Sequence, residues 1–348
     1  MISIPIENIY YLLCYAWDKL EERDIVSVEG IPNTSLANLF AKVLINGTQH
    51  LLKRGLDRSY IPEEDWTTRL RGRIGFDEAA GGRTHTSGTL PCRYDEMNHD
   101  ILHNRILKTT ILSLIRTEGV EKENAERLSG LLRHLSGIQT IRLSDRVFGD
   151  VRLNRNNRFY EFLMRVCELV YQNLLVSENT GRSKFRDFLR DEKKMAQLFE
   201  SFVRVFYQKH ATDKYRRIGR EQIRWQLDPL SAASAGWLPK METDVTLISD
   251  TRKVIIDCKY TARIFQSHWE SESFRSEHMY QISSYLSNLP QSDFEKYADI
   301  SAFLLYPEVS ERQTHRFTAP GGRYRVGIHT INLAQPWPRI HEDLLALV

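Results

Sequence analysis

The sequence predicts a two-domain α/β protein, and three observations carry that expectation. Its 348 residues exceed what one core usually holds, at roughly 150 residues per domain. The stretch 238–333 reads strand, strand, helix, strand, strand, which is an α/β order. Apolar residues make up 41% and charged residues 27%, enough to bury a core and too balanced for disorder.

The elements follow in chain order. Ile9–Leu20 reads as a short apolar helix with aromatic residues interleaved. Leu36–Leu52 is helical, with Leu36, Leu39, Phe40, Val43, Leu44 and Leu51 on one side. Arg69–Phe76 alternates apolar and basic residues, as a strand does. Ala79–Pro91 is a Gly/Thr-rich loop, after which Arg93–Met97 resumes as a strand. Helices follow at 100–117 and 122–135. Arg142–Arg165 carries six arginines, a pattern of a solvated face or of phosphate or partner contact. The domain boundary is placed here, giving a mixed α+β domain over 1–155 and an α/β domain over 156–348.

The second half opens with an apolar helix at 157–176. A second helix at 191–209 shows the stripe Met195, Leu198, Phe199, Phe202, Val203, Phe206. Residues 214–227 are basic and turn strand-like. Leu238–Ile248 and Arg252–Tyr260 are strands around the turn Ser249-Asp250-Thr251. A helix at 277–288 and strands at Ala302–Tyr306 and Val326–Leu333 complete the pattern.

Several function classes fall away. Lys and Arg total 48 against 45 Asp and Glu, so any nucleic-acid site must be a local patch. No apolar run reaches the ~18 residues that span a bilayer, so no membrane partner is expected. The first residues carry no positive n-region of a signal peptide. Cys14, Cys92, Cys167 and Cys258 stand singly, without zinc or disulfide spacing, which suits a reducing cytoplasm. His99 and His103 have metal-ligand spacing, but there is no accompanying HExxH glutamate, and surface or capping roles fit them better.

The stretch METDVTLISDTRKVIIDCKY (Met241–Tyr260) carries chemistry. Residues two apart on a strand share a face, so Asp257 and Lys259 point together. Asp244 lies on the preceding strand of the same hairpin. Charges beside the apolar run Val254-Ile255-Ile256 need a partner. Mg²⁺ would be held by Asp244 and Asp257 with the Cys258 carbonyl, and Lys259 would orient or deprotonate the attacking water. Gln281 and Tyr285 sit four apart on the next helix, hence on one face. Glu200 flanks the apolar stripe of the 191–209 helix. Arg216, Arg217, Arg220 and Arg224, just before the hairpin, suit DNA phosphate contact.

Asp244, then Asp257-Cys258-Lys259, then Gln281-x-x-x-Tyr285 resembles the PD-(D/E)xK nuclease superfamily, in its RecB-like branch. Thr243 stands where that pattern has Pro. The resemblance implies a mixed sheet flanked by helices, Mg²⁺-dependent phosphodiester hydrolysis leaving a 5′-phosphate, and substrate contact by Gln281 and Tyr285. It also implies Glu200 as a further metal ligand. IPIENIYYLLCYAW (Ile4–Trp17), LRGRI (Leu70–Ile74) and CRYDEMNHDILHNRILKTT (Cys92–Thr110) resemble the McrC family, nuclease subunits of the methylcytosine-dependent McrBC restriction system. That resemblance covers essentially the whole chain. It implies a separate McrB-like AAA+ ring that binds GTP and reads methylated cytosine, while the chain stimulates the GTPase and cuts DNA. The absence of a G-x-x-x-x-G-K-[ST] loop agrees with GTP being held by the partner. Arg71, Arg73 and Arg83, around the 69–95 strand-loop-strand, are the expected partner contacts. An inactive regulator of a ring NTPase and a free-standing repair nuclease are the other readings.

Overall fold

In the computed structural model the described residues are 2, 4–23, 36–74, 89–154, 157–176, 183–185, 188–227, 237–268 and 271–348. The chain divides into two compact units, and the boundary expected at 155/156 is corrected. One unit joins Met1–Arg23 to Asp187–Val348, and the other spans Ser35–Arg186. The arginine run does not mark a change of core. The helix after it packs on helices that precede it, and the opening helix of the chain packs on the C-terminal unit's own helix.

Helix α1 (Ile6–Ala16) opens the chain and is apolar on nearly every side. Ile9, Leu12, Leu13 and Tyr15 are all buried.

The Ser35–Arg186 unit begins with α2 (Leu36–Arg54). Three strands follow, β1 (Ser59–Thr67), β2 (Arg73–Ile74) and β3 (Leu90–Asn98), in the order β1-β3-β2 and antiparallel. Of the strand expected over Arg69–Phe76, the described residues show pairing at Arg73–Ile74, while Gly75 and Phe76 and most of the expected Ala79–Pro91 loop lie outside the described residues. The long partner of β3 is Ser59–Thr67, which lacks the apolar alternation that marks a half-buried strand, because it is largely exposed. Gly72 makes the LRGRI turn possible. Its φ of +64° is left-handed, and a Cβ there would collide with the Arg93 carbonyl. Helices α3 (Leu102–Ile115), α4 (Lys122–Leu132) and α5 (Arg158–Asn173) complete the unit's core with α2.

The MNHDILHNR segment acquires a physical role here. Asn104, fully buried, donates from Nδ2 to the carbonyls of Asp57 (2.9 Å) and His99 (2.8 Å). Its Oδ1 accepts from the Tyr160 hydroxyl at 2.7 Å, and that hydroxyl accepts from the Asp57 amide at 3.0 Å. His103 Nε2 meets Asp57 Oδ2 at 2.9 Å, and Asn157 donates to the same oxygen at 2.6 Å. His103 is therefore neither a surface nor a capping histidine. Asp57 precedes β1 and His99 follows β3, so one polar network grips both roots of the ribbon.

The other unit is built on helix α6 (Glu192–His210), whose predicted stripe is buried. It packs on α1 and on a six-stranded sheet. The strands are β4 (Arg217–Gly219), β5 (Val245–Ile248), β6 (Arg252–Cys258), β7 (Asp299–Pro307), β8 (Thr314–Thr318) and β9 (Arg325–Ile331). Their order is β8-β9-β7-β6-β5-β4. The central three are parallel and the flanking ones antiparallel. Helix α7 (Ser276–Ser287) lies between β6 and β7 in sequence, and α8 (Trp337–Leu345) follows β9. Val254, Ile255 and Ile256 are fully buried, as expected of a central strand covered on both faces. All four cysteines are buried and none is in a disulfide. Among the described residues no helix is long and apolar enough to cross a membrane.

Candidate active site

The antiparallel register of β5 and β6 pairs Val245 with Ile256. One residue further, Asp244 comes opposite Asp257, and directly opposed residues share a face. The Cys258 amide donates to Asp244 Oδ2 at 2.8 Å, fixing that carboxyl at the end of the hairpin. Asp257 is completely buried, and Lys259 Nζ lies 2.7 Å from its Oδ2. The structure thus brings Asp244, Asp257 and Lys259 to one spot.

Gln281 and Tyr285 close a ring around the lysine. Lys259 Nζ donates to Gln281 Oε1 at 2.9 Å, and Gln281 Nε2 donates to the Tyr285 hydroxyl at 2.8 Å. The single Tyr285 proton lies between the Glu242 carbonyl (3.0 Å) and Asp257 Oδ1 (3.4 Å). The Q-x-x-x-Y spacing places both side chains on the α7 face turned to β6. His278, one turn earlier on that face, bonds the Tyr306 hydroxyl through Nδ1 at 2.8 Å. Burial, then the Lys259 charge, hold His278 down to about 4, so the ring is neutral at physiological pH. Sequence reasoning missed it, although its position three before Gln281 was the available signal.

The electrostatics are those of a crowded acidic pair. Burial raises Asp244 to about 7, with added push from Asp257 and Glu200. Burial also raises Asp257, against the pull of Lys259 and Tyr285. Two opposed carboxylates in a desolvated corner hold protons unless a cation joins them. A divalent ion that takes one or two carboxylates and keeps several waters fits this donor set. Among the described residues no three His, Cys, Asp or Glu side chains converge as a ready metal cage.

Glu200 reaches the neighbourhood, since its charge acts on both aspartates, but it is engaged there. Its Oε1 accepts from Arg204 Nη1 at 2.7 Å and from the Arg220 guanidinium. Arg220 also faces Glu242 at 3.7 Å. Its side chain stays 47% exposed, so it pairs with these carboxylates at the surface. Arg216 pairs with Asp250 at 3.0 Å, while Arg217 and Arg224 are exposed. In the other unit, Arg71 lies over the Tyr94 ring at 5.5 Å, and Arg73 is exposed across from Arg93. Arg83 lies outside the described residues.

Fold and site together define an α/β protein with an Asp–Asp–Lys centre at the end of a mixed sheet. The chain belongs to the McrBC family: the model of the McrBC 5-methylcytosine restriction system component matches residues 7–307. It is 34% identical over 342 residues to the type IV methyl-directed restriction enzyme EcoKMcrBC of Escherichia coli (strain K12), covering 98% of this chain and 96% of that one. Its fold is shared by a chain in the refined half-complex from a tetradecameric assembly of Thermococcus gammatolerans McrB AAA+ hexamers with bound McrC. There the TM-score is 0.63 and the identity 16%, over 99% of this chain and 76% of that chain.

Proposed function

We propose that this chain is the DNA-cleaving subunit of a GTP-dependent, modified-cytosine-specific restriction endonuclease. The observation that carries the reading is the convergence of Asp244, Asp257 and Lys259, with Gln281 and Tyr285 ordering the lysine. That is a PD-(D/E)xK arrangement. Family membership supports the restriction role, and the assembly of its structural relative supports an McrB-like AAA+ ring as partner.

Asp244 and Asp257 would hold Mg²⁺, with the Cys258 carbonyl beside them. When bound, the ion would acidify a water and neutralise charge gathering on the phosphate. The chain's own groups do the rest. Lys259 presents a positive charge to the scissile phosphate and orients the attacking water. Gln281 fixes the Lys259 ammonium, and Tyr285 ties that pair to the Glu242 backbone. Arg217 and Arg224 meet DNA phosphates. The β1–β3 ribbon, with Arg71 and Arg73 near its turn, contacts the ring and stimulates its GTPase.

The test is cleavage of a methylated plasmid with Mg²⁺, GTP and the McrB-like partner, omitting each in turn. Cutting is expected to need every component and to vanish in Asp257→Ala while GTP hydrolysis continues. Arg71→Ala with Arg73→Ala is expected to lower GTPase stimulation instead. Cutting by the Asp257→Ala chain would place the active site elsewhere.

A further inference from the structure

The sheet face that carries Asp257 holds a further donor that the proposed chemistry does not use. In the parallel pair of β6 and β7, Asp257 aligns with Leu304, and the Lys259 amide extends the ladder to the Leu305 carbonyl at 2.9 Å. Tyr306, two residues on from Leu304, therefore shares the face of Asp257 and Lys259. It is completely buried, and its hydroxyl meets His278 Nδ1 at 2.8 Å. His278 stands on α7, three residues before Gln281, which takes the Lys259 ammonium. Residues three apart are neighbours on a helix surface, so His278 and Gln281 belong to the same corner. The Lys259 charge is near enough to act on the His278 ring.

The tautomer of this histidine follows from its partner. The Tyr306 hydroxyl has one proton, and burial keeps that proton on the oxygen. Among the described residues, His278 Nδ1 is the acceptor it meets. The hydroxyl therefore donates, because a buried O–H without an acceptor carries its full desolvation cost. A neutral imidazole that accepts at Nδ1 carries its own proton on Nε2. That Nε2–H belongs to a side chain still 13% exposed, at the rim of the site. Glu277 Oε1 lies 3.5 Å from it, too far for a good hydrogen bond, and Arg275 Nη2 already holds that oxygen at 2.5 Å. The Nε2–H thus keeps its capacity to donate.

Resting on the nuclease function proposed above, we propose that His278 is a substrate contact: its Nε2–H donates to an oxygen of the DNA phosphate presented to Lys259, and Tyr306 is the positioning residue that fixes the donating tautomer. A neutral donor suits this place. Lys259 already supplies the positive charge, and a second cation beside it would be repelled. An ammonium acts on a phosphate as a point charge and leaves its rotation open. A directed N–H on a second oxygen removes that freedom and holds the phosphorus in line for attack. Hydrogen bonds to an ionised acceptor are also the strong ones.

The test is the cleavage rate of methylated DNA by the full chain with its McrB-like partner, Mg²⁺ and GTP. His278→Ala is expected to slow cutting roughly tenfold, the loss of one hydrogen bond to a charged group, while GTP hydrolysis continues. His278→Gln, whose Nε2 still donates, should recover most of that rate. Tyr306→Phe keeps the buried ring and should slow the parent but not the His278→Ala chain, because Tyr306 acts only through the histidine. A merely structural pair would give neither the glutamine rescue nor this non-additivity. The Tm of each variant checks its fold, and slowing by Tyr306→Phe is required even if His278→Ala is destabilised. The proposal falls if His278→Ala or Tyr306→Phe cuts at the parent rate. It falls too if His278→Gln is no faster than His278→Ala, or if Tyr306→Phe slows the His278→Ala chain as much as it slows the parent. If Asp257→Ala still cuts, the proposed nuclease centre is itself wrong and this contact falls with it.

Discussion

Asp244 keeps its proton to about pH 7, and this ties the stability of the metal-free chain to pH. An unfolded Asp ionises near 3.9, so between there and pH 7 only the folded state retains the proton. Stability therefore falls as pH rises through that window and levels off above it. The loss is on the order of 4 kcal/mol at most. In EDTA, Asp244→Asn should raise the Tm at pH 7.5 and flatten its decline between pH 4 and 7. Added Mg²⁺ should raise the Tm of the parent and leave that of Asp244→Asn unmoved, because an ion stabilises only the state that binds it. Gln281 supports a different expectation. Gln281→Ala removes the group that fixes Lys259, so cleavage should fall about 10²-fold while the Tm barely shifts, as Gln281 is exposed. These residues were legible in the sequence because their geometry is local. A hairpin register aligns Asp244 with Asp257, a two-residue period aligns Asp257 with Lys259, and a four-residue period aligns Gln281 with Tyr285. The engagement of Glu200 was not legible. Arg204 sits four residues along the same helix, but Arg220 arrives from beyond the helix end, and its choice between DNA and Glu200 depends on tertiary placement.

Among the elements, β6 carries both the chemistry and an unusual anchor. Lys253, on the face of Asp257 and 2% exposed, places Nζ 2.8 Å from Glu221 Oε1 and 2.7 Å from Asp293 Oδ2. It links the segment before the hairpin, the central strand and the short helix Gln291–Lys296. Removing one member of a buried ionic cluster strands the others, which typically costs 3–5 kcal/mol, whereas removing the whole cluster is far milder. Lys253→Met should therefore lower stability in urea by about 3 kcal/mol. Adding Glu221→Gln and Asp293→Asn should recover most of that loss. A single variant as stable as the parent would show that the triad contributes nothing. Element type was legible where burial imposed a period, as in α2, α6 and β6. It failed for Ser59–Thr67, since a ribbon exposed on both faces has no apolar side to repeat. Its roots are fixed instead by Asp57, Asn104 and Tyr160, which lie far apart in sequence.

At the scale of the whole molecule, the chain's first helix completes the core of the unit that begins at residue 187. Ile9, Leu12, Leu13 and Tyr15 are at most 3% exposed. Tyr15 bonds His210 Nε2 through its hydroxyl at 2.8 Å and packs against Phe202 and Trp337. Asn8 donates to the carbonyls of Leu333 (2.8 Å) and Gln335 (2.9 Å), tying α1 to the chain between β9 and α8. Burying four such side chains is worth about 1.5–3 kcal/mol each, so α1 supplies on the order of 10 kcal/mol. The net stability of a domain is only about 5–15 kcal/mol. A fragment of residues 187–348 should therefore fail to fold cooperatively. The same fragment with residues 1–23 joined through a flexible linker should show a sigmoidal urea transition and dispersed amide resonances. No composition shift near residue 187 announces this arrangement, because a core closed by segments over 160 residues apart leaves no local mark. If residues 187–348 alone unfold cooperatively, α1 is an accessory to that core, and the division of the chain into two units must be redrawn.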